Sequence, residues 1–119
     1  MRIGKVERKT KETDVSVKIN LDGSGRAKVD TGIKFLDHLL SSFAKHGVLD
    51  LELRARGDFE HHIAEDSMVA LGEAIEIALG KKAAIERFGD AIVPMDDALV
   101  MAAVDMSGRS FPDIEAKFN

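Results

Sequence analysis

Between Thr13 and Leu21 apolar and polar positions alternate, with Val15, Val17, Ile19 and Leu21 on one side and Ser16, Lys18 and Asn20 on the other. A period of two is the pattern of a half-buried strand. The two glycines of Asp22-Gly23-Ser24-Gly25 suit a tight turn, because glycine adopts positive φ without steric cost. Arg26 to Asp30 is therefore predicted as the returning strand, and Ile3 to Arg8 as a third member of the same antiparallel sheet. After Thr31-Gly32 the period becomes helical, with Phe35, Leu36, Leu39 and Phe43 as the face expected to be buried and Gly47 expected at the C′ position. Leu49, Leu51, Leu53 and Ala55 alternate with charged residues, as in a strand with one wet face, and Gly57-Asp58 turns the chain. From about His61 to Leu79 the pattern is helical again, with Met68, Leu71, Ile75 and Leu79 as the expected buried stripe and Gly80-Lys81-Lys82 as the stop. Strand character returns after Arg87-Phe88-Gly89, notably in Ala98 to Val104, then a Ser-Gly turn, then Phe111 to Phe118.

This order, β-β-β-α-β-α followed by more strands, is an α+β pattern. Leu21-Asp22-Gly23-Ser24-Gly25-Arg26 also lies in step with Val104-Asp105-Met106-Ser107-Gly108-Arg109, at an offset of 83. Aspartate, serine, glycine and arginine coincide, as an internal duplication would produce. Residues 1–84 then read as one complete repeat and residues 85–119 as the opening strands of a second. Such a chain reads as incomplete. Its last strands lack a covering layer and call for a partner, a homo-oligomer being the expectation.

Composition narrows the chemistry. The 119 residues carry a formal net charge of -4, which argues against a general nucleic-acid binder. With no cysteine, thiol catalysis and thiolate metal sites are excluded, so any metal must be held by imidazole and carboxylate. No apolar run approaches the ~20 residues that span a bilayer, and the first residues lack a signal-peptide core. The reading is a cytoplasmic protein without membrane partners.

All four histidines fall between positions 38 and 62. His61-His62-x-x-Glu65 opens a predicted helix, where residues three or four apart are neighbours. Imidazole and carboxylate at that spacing suit a transition metal. Adjacent histidines point about 100° apart around a helix, so His61 and His62 are expected to serve different ions. His38 lies off the apolar stripe, and spacing alone leaves it open between ligand and surface residue. His46 is equally placed to cap the last carbonyls of its helix. Arg87 and Arg109 stand near glycines, where backbone approaches a ligand closely, and are candidate anion holders or solvated arginines. Glu12 is open between a site residue and an ordinary charged turn residue.

Thr31-Gly32-Ile33-Lys34-Phe35-Leu36-Asp37-His38, Phe43-Ala44-Lys45-His46-Gly47, Gly57-Asp58 and His61-His62-x-x-Glu65-Asp66 closely resemble the imidazoleglycerol-phosphate dehydratases. The likeness continues through Ala70-Leu71-Gly72-Glu73-Ala74, Arg87-Phe88-Gly89 and Asp105-Met106-Ser107-Gly108-Arg109. The resemblance implies two β-β-β-α-β-α repeats of the ribosomal protein S5 domain 2-like type, assembled through trimers into a 24-subunit shell. It implies two manganese ions at subunit interfaces, with His38, His61, His62 and Glu65 as this repeat's ligands. Glu12, His46, Arg87 and Arg109 would contact a small phosphate substrate, the arginines toward the phosphate. The implied reaction is the manganese-dependent dehydration of imidazole glycerol phosphate in histidine biosynthesis, with Glu65 moving the proton. Three departures accompany the likeness. Only Phe59 and Glu60 separate Gly57-Asp58 from the paired histidines, where the family carries a longer, acidic segment. Ser42 stands at a family glutamine, and the second repeat's helices are absent. Little turnover is therefore expected of this chain alone. The residues leave room for a zinc-dependent hydrolase, or for a non-catalytic half-domain that assembles with itself.

Overall fold

The computed structural model describes residues 1–118, so Asn119 lies outside the described residues. They form two compact units, Met1–Ala83 and the residues from Ala84 onward. The first contains β1 (Ile3–Lys9), β2 (Thr13–Asn20), β3 (Ala27–Asp30), α1 (Lys34–Gly47), β4 (Asp50–Gly57) and α2 (Glu60–Leu79). Its sheet has the order β1-β2-β4-β3. The predicted hairpin from β2 into β3 does not form. β4 takes the place beside β2, antiparallel, with Leu53 opposite Val17, and β3 runs parallel on the far side of β4.

The physical reason lies in Asp50. Its carboxylate accepts the backbone N–H groups of Ser24 and Arg26, each at 3.0 Å, and the Arg26 guanidinium at 3.1 Å. The Arg26 side chain and these backbone donors hold the Asp50 carboxyl well below the usual carboxylate range. The Asp22–Gly25 segment is thus a loop wrapped round a charge at the start of β4, and a Cβ on Gly23 would collide with the Asp50 backbone. α1 then supplies the crossover that a parallel β3–β4 pair requires.

One face of the sheet carries the core. Val15, Val17 and Ile19 of β2 and Leu51, Leu53 and Ala55 of β4 are buried beneath the helices, while Lys18, Glu52 and Arg54 face water. α1 lies over β3 and β4, and α2 over β1, β2 and β4.

Both helices are rotated from the orientation their largest apolar residues predict. α1 buries Leu40 and Ala44, leaving Phe35 70% exposed, Leu39 48% and Phe43 41%. α2 buries Ile63, Ser67, Ala70, Leu71, Ala74 and Ala78, so of the predicted stripe only Leu71 is fully inside, and Met68 is exposed. Close approach to the sheet selects small side chains. At β1 there is no room for any, since a Cβ on Gly4 would collide with the carbonyl oxygen of Ala74.

α1 also ends differently from the prediction. Gly47 is its last helical residue, and the left-handed conformation falls on Val48, at φ 54°. A β-branched residue is disfavoured there because Cβ crowds the following carbonyl.

In the second unit β5 (Phe88–Met95) and β6 (Ala98–Asp105) form an antiparallel hairpin with both faces exposed. Phe111 to Phe118, read as strand-like, adopts no regular element. Each hairpin is tied by an arginine–aspartate pair, Arg2 with Asp22 and Arg87 with Asp105. No helix among the described residues is long and apolar enough to cross a membrane.

Because Val48 is 57% exposed, replacing it removes strain at small loss of burial. Val48→Gly is expected to stabilise the protein by about 1 kcal/mol, read as a higher midpoint in urea unfolding with an unchanged slope. A lower midpoint would show that the turn depends on the valine side chain.

Candidate functional site

The paired histidines sit in the first turn of α2, at the exit of β4. This junction is tightly built. The Asp58 N–H donates to the Glu12 carbonyl at 3.0 Å, so the β1–β2 turn leans on the β4–α2 connection. Gly57 makes that contact possible, since a Cβ there would lie 2.8 Å from the Glu12 oxygen and 2.9 Å from both Ile63 and Thr13. One turn into the helix, Asp66 accepts the Thr13 hydroxyl and faces Arg8 at 3.4 Å. Two strands thereby fix the depth and angle at which α2 begins.

Within this frame His62 Nδ1 lies 2.7 Å from the Asp58 carboxylate. Asp58 stands four residues earlier and also accepts the Phe59 N–H at 2.7 Å. A carboxylate on Nδ1 fixes the proton there and leaves Nε2 as the free lone pair, the usual way a histidine is prepared for a metal. Hydrogen bonding to Asp58 is the main cause that raises the His62 pKa, and the charges of Glu12 and Glu65 add to it. Glu65 follows three residues later on the same helix, and the Glu12 backbone is held at the Asp58 N–H. The His61 ring lies 4.2 Å from that of His62, between centroids, with the planes at 54°. Phe59 stacks on His61 at 5.7 Å and meets His62 edge-on at 5.6 Å.

The structure thus gathers Glu12, His61, His62 and Glu65 at the start of α2. His38 and His46 stand apart from them on α1, both exposed, His38 directly after an Asp37 carboxylate that accepts the Thr31 N–H at 2.9 Å. Arg87 and Arg109 belong to the second unit. The Arg87 guanidinium grips Asp105 at 2.6 and 3.1 Å, and the Arg109 charge also acts on that carboxylate. Among the described residues no three imidazole or carboxylate groups converge as a metal site. The donor types suit a transition metal, but the set is partial: α2 offers a pair of imidazoles and Glu65, and His38 is carried on another helix. Asp58 is the residue that sequence reasoning passed over as a turn. Its spacing of four from His62 was the available signal, and it supplies an acidic partner despite the short segment before His61.

Comparison with known proteins decides the family. The model for imidazoleglycerol-phosphate dehydratase matches residues 31–119. The chain belongs to the imidazoleglycerol-phosphate dehydratase family. The Salinibacter ruber member is 58% identical over 98% of this chain and 59% of its own length. The Methanocella arvoryzae member is 54% identical over 99% of this chain and 63% of its own. Among solved structures, the Staphylococcus aureus dehydratase superposes with a TM-score of 0.83 at 29% identity, covering 98% of this chain and 65% of that one. The Pyrococcus furiosus IGPD, in complex with (S)-C348, gives 0.77 at 37% identity, covering 94% and 60%. The chain therefore spans about three-fifths of the length of these relatives.

The Asp58–His62 pair has a defined pH window. His62, with its pKa raised, contributes stability fully present below the ordinary histidine range and lost as pH rises through the raised value. Asp58, with its pKa lowered mainly by His62, contributes stability present above the ordinary carboxylate range and lost as pH falls through the lowered value. In Asp58→Asn the His62 ring resonances are expected to titrate at lower pH than in the wild type, because the hydrogen bond and charge of Asp58 are lost. An unchanged His62 midpoint would remove Asp58 from this role.

Proposed function

We propose that this chain supplies part of the active site of a hydro-lyase of histidine biosynthesis, one that dehydrates imidazole glycerol phosphate to imidazole acetol phosphate. The supporting observation is the pair His61-His62 at the start of α2, with His62 oriented by Asp58 and flanked by Glu12 and Glu65, in a chain of this family. In this reading His38, His61, His62 and Glu65 hold manganese, and the ions need further donors from outside the described residues. When bound, manganese supplies Lewis-acid stabilisation of charge developing on the substrate ring.

The chain's own residues do the remaining work. Asp58 keeps the His62 proton on Nδ1, so that Nε2 faces outward as a donor. Glu65 accepts and returns the proton, and Glu12, close to the same ring, binds the substrate from the β1–β2 turn. His46 is a further substrate contact. Arg87 and Arg109 take the phosphate, which would compete with Asp105 for Arg87 in a bidentate geometry. With donors missing, the chain alone is expected to turn over little or no substrate. The complete enzyme is proposed to be a homo-oligomer, built from trimers into a 24-subunit shell, and to work in the cytoplasm.

Manganese binding tests the site separately from turnover. Titration of the purified chain, followed by electron paramagnetic resonance of free Mn2+, is expected to show weak binding. His62→Ala and Glu65→Gln should each weaken it by about tenfold or more, and Asp58→Asn by a smaller factor. Equal affinity in all of these variants would refute the ligand assignment. Robust manganese-dependent dehydration by the wild-type chain would refute its dependence on outside donors.

A further inference from the structure

The turn between β1 and β2 carries Glu12 at an exposed position, and its hydrogen bonds form one directed chain that ends on α2. The Thr10 Oγ1 accepts the backbone N–H groups of Glu12 and Thr13, at 3.1 and 3.0 Å. The same atom lies 3.3 Å from the Thr13 Oγ1, and Thr13 in turn reaches the Asp66 carboxylate. A carboxylate only accepts, so the Thr13 hydroxyl donates to Asp66. Its oxygen is then left to accept, and the Thr10 hydroxyl must be the donor to it. Thr10 is thereby fully used, with one proton given and two accepted. Thr13 is 4% exposed and the Asp66 side chain 15%, so water competes little for the far end of the chain. Arg8 Nε, 3.4 Å from Asp66, holds the carboxylate from the other side. Glu12 is also fixed through its carbonyl, which accepts the Asp58 N–H at 3.0 Å. Both backbone groups of this one residue therefore lead to the α2 entry, one through Thr10 and Thr13 to Asp66 and one directly to Asp58.

We infer that Asp66 and Thr10 are positioning residues for Glu12, setting where its carboxylate stands relative to the histidine pair. Asp66 directly follows Glu65 on α2, so the helical turn that carries a proposed metal ligand also anchors the turn that carries a proposed substrate contact. A long flexible acid on a free turn would have to be ordered each time substrate binds, whereas a backbone fixed in advance avoids that cost. The inference rests on the reading of Glu12 as a substrate contact. The anchoring itself does not depend on that reading.

Two measurements on the whole chain separate these parts. The first is amide hydrogen exchange at Glu12. Thr10→Val keeps the shape and removes the acceptor, and exchange at Glu12 and Thr13 is expected to quicken by about fivefold or more, with Val15 and Val17 of β2 unmoved. Thr10→Ser restores the hydroxyl and should restore the slow exchange. Asp66→Ala is expected to act in the same direction as Thr10→Val, but it also unseats α2, so the Thr10 pair decides the matter alone. The second measurement is calorimetric titration with imidazole glycerol phosphate in the presence of Mn2+. Glu12→Gln should weaken binding, and Thr10→Val should weaken it by about threefold or more in the wild-type background and not further in Glu12→Gln. A threonine that served only the stability of the turn would cost the same in both backgrounds, and that result would overturn the inference. Unchanged Glu12 exchange in Thr10→Val would refute the anchoring whatever the titration shows. Wild-type affinity in Glu12→Gln would instead refute the substrate contact on which the inference rests.

Discussion

The contact on which the rest of the first unit depends is the seat of α2 on β1. At Gly4 the strand has no side chain, and the helix backbone at Ala74 occupies the space one would need. Ser67, Ala70, Ala74 and Ala78 extend that close approach along the helix, so the buried face of α2 is lined largely by small residues. This spacing fixes how the helix is rotated. It turns Met68 and Val69 outward, and it holds the first turn of α2 against the β1–β2 turn. There Gly57 allows the Glu12 carbonyl to meet the Asp58 N–H.

The candidate chemistry follows from that seating. His62 is oriented by a carboxylate one helical turn earlier, and Glu12 stands near because its turn is pinned to the same junction. Asp66 ties the next turn to β1 and β2 through Arg8 and Thr13. A histidine held this way loses little freedom when it takes a ligand, which is what preparing a site means energetically. The outward surface that results carries large apolar side chains on α1 and acidic ones on α2.

Much of this was readable from residue order. Alternation in Thr13–Asn20 and Asp50–Gly57, the helical period after Thr31 and again after Asp58, and Gly80 as a helix stop all correspond to observed elements. Alternation reports which side of a strand is wet but not which strand lies beside it, so β3 was assigned to β2 when it pairs with β4. What decides the pairing is the hold of Asp50 on Ser24 and Arg26, a contact between residues about two dozen positions apart. The helix faces were misjudged for a related reason. Size suggested that Phe35, Leu39 and Phe43 should be inside, whereas close packing on a sheet favours Ala44 and the alanines of α2. The motif His61-His62-x-x-Glu65 was visible at once. The role of Asp58 was hidden because a Gly-Asp pair reads first as a turn.

The most direct test of this account is the thermal midpoint of Gly4→Ala. A single methyl added there meets helix backbone, and overpacking of that kind costs about 3 kcal/mol, toward the upper end of the usual range. For a unit of this size that corresponds to a fall of more than about 10 °C. A midpoint within about 2 °C of the wild type would mean that α2 is not seated on β1 as described, and the positions of the histidine pair and the outward helix face would need another explanation.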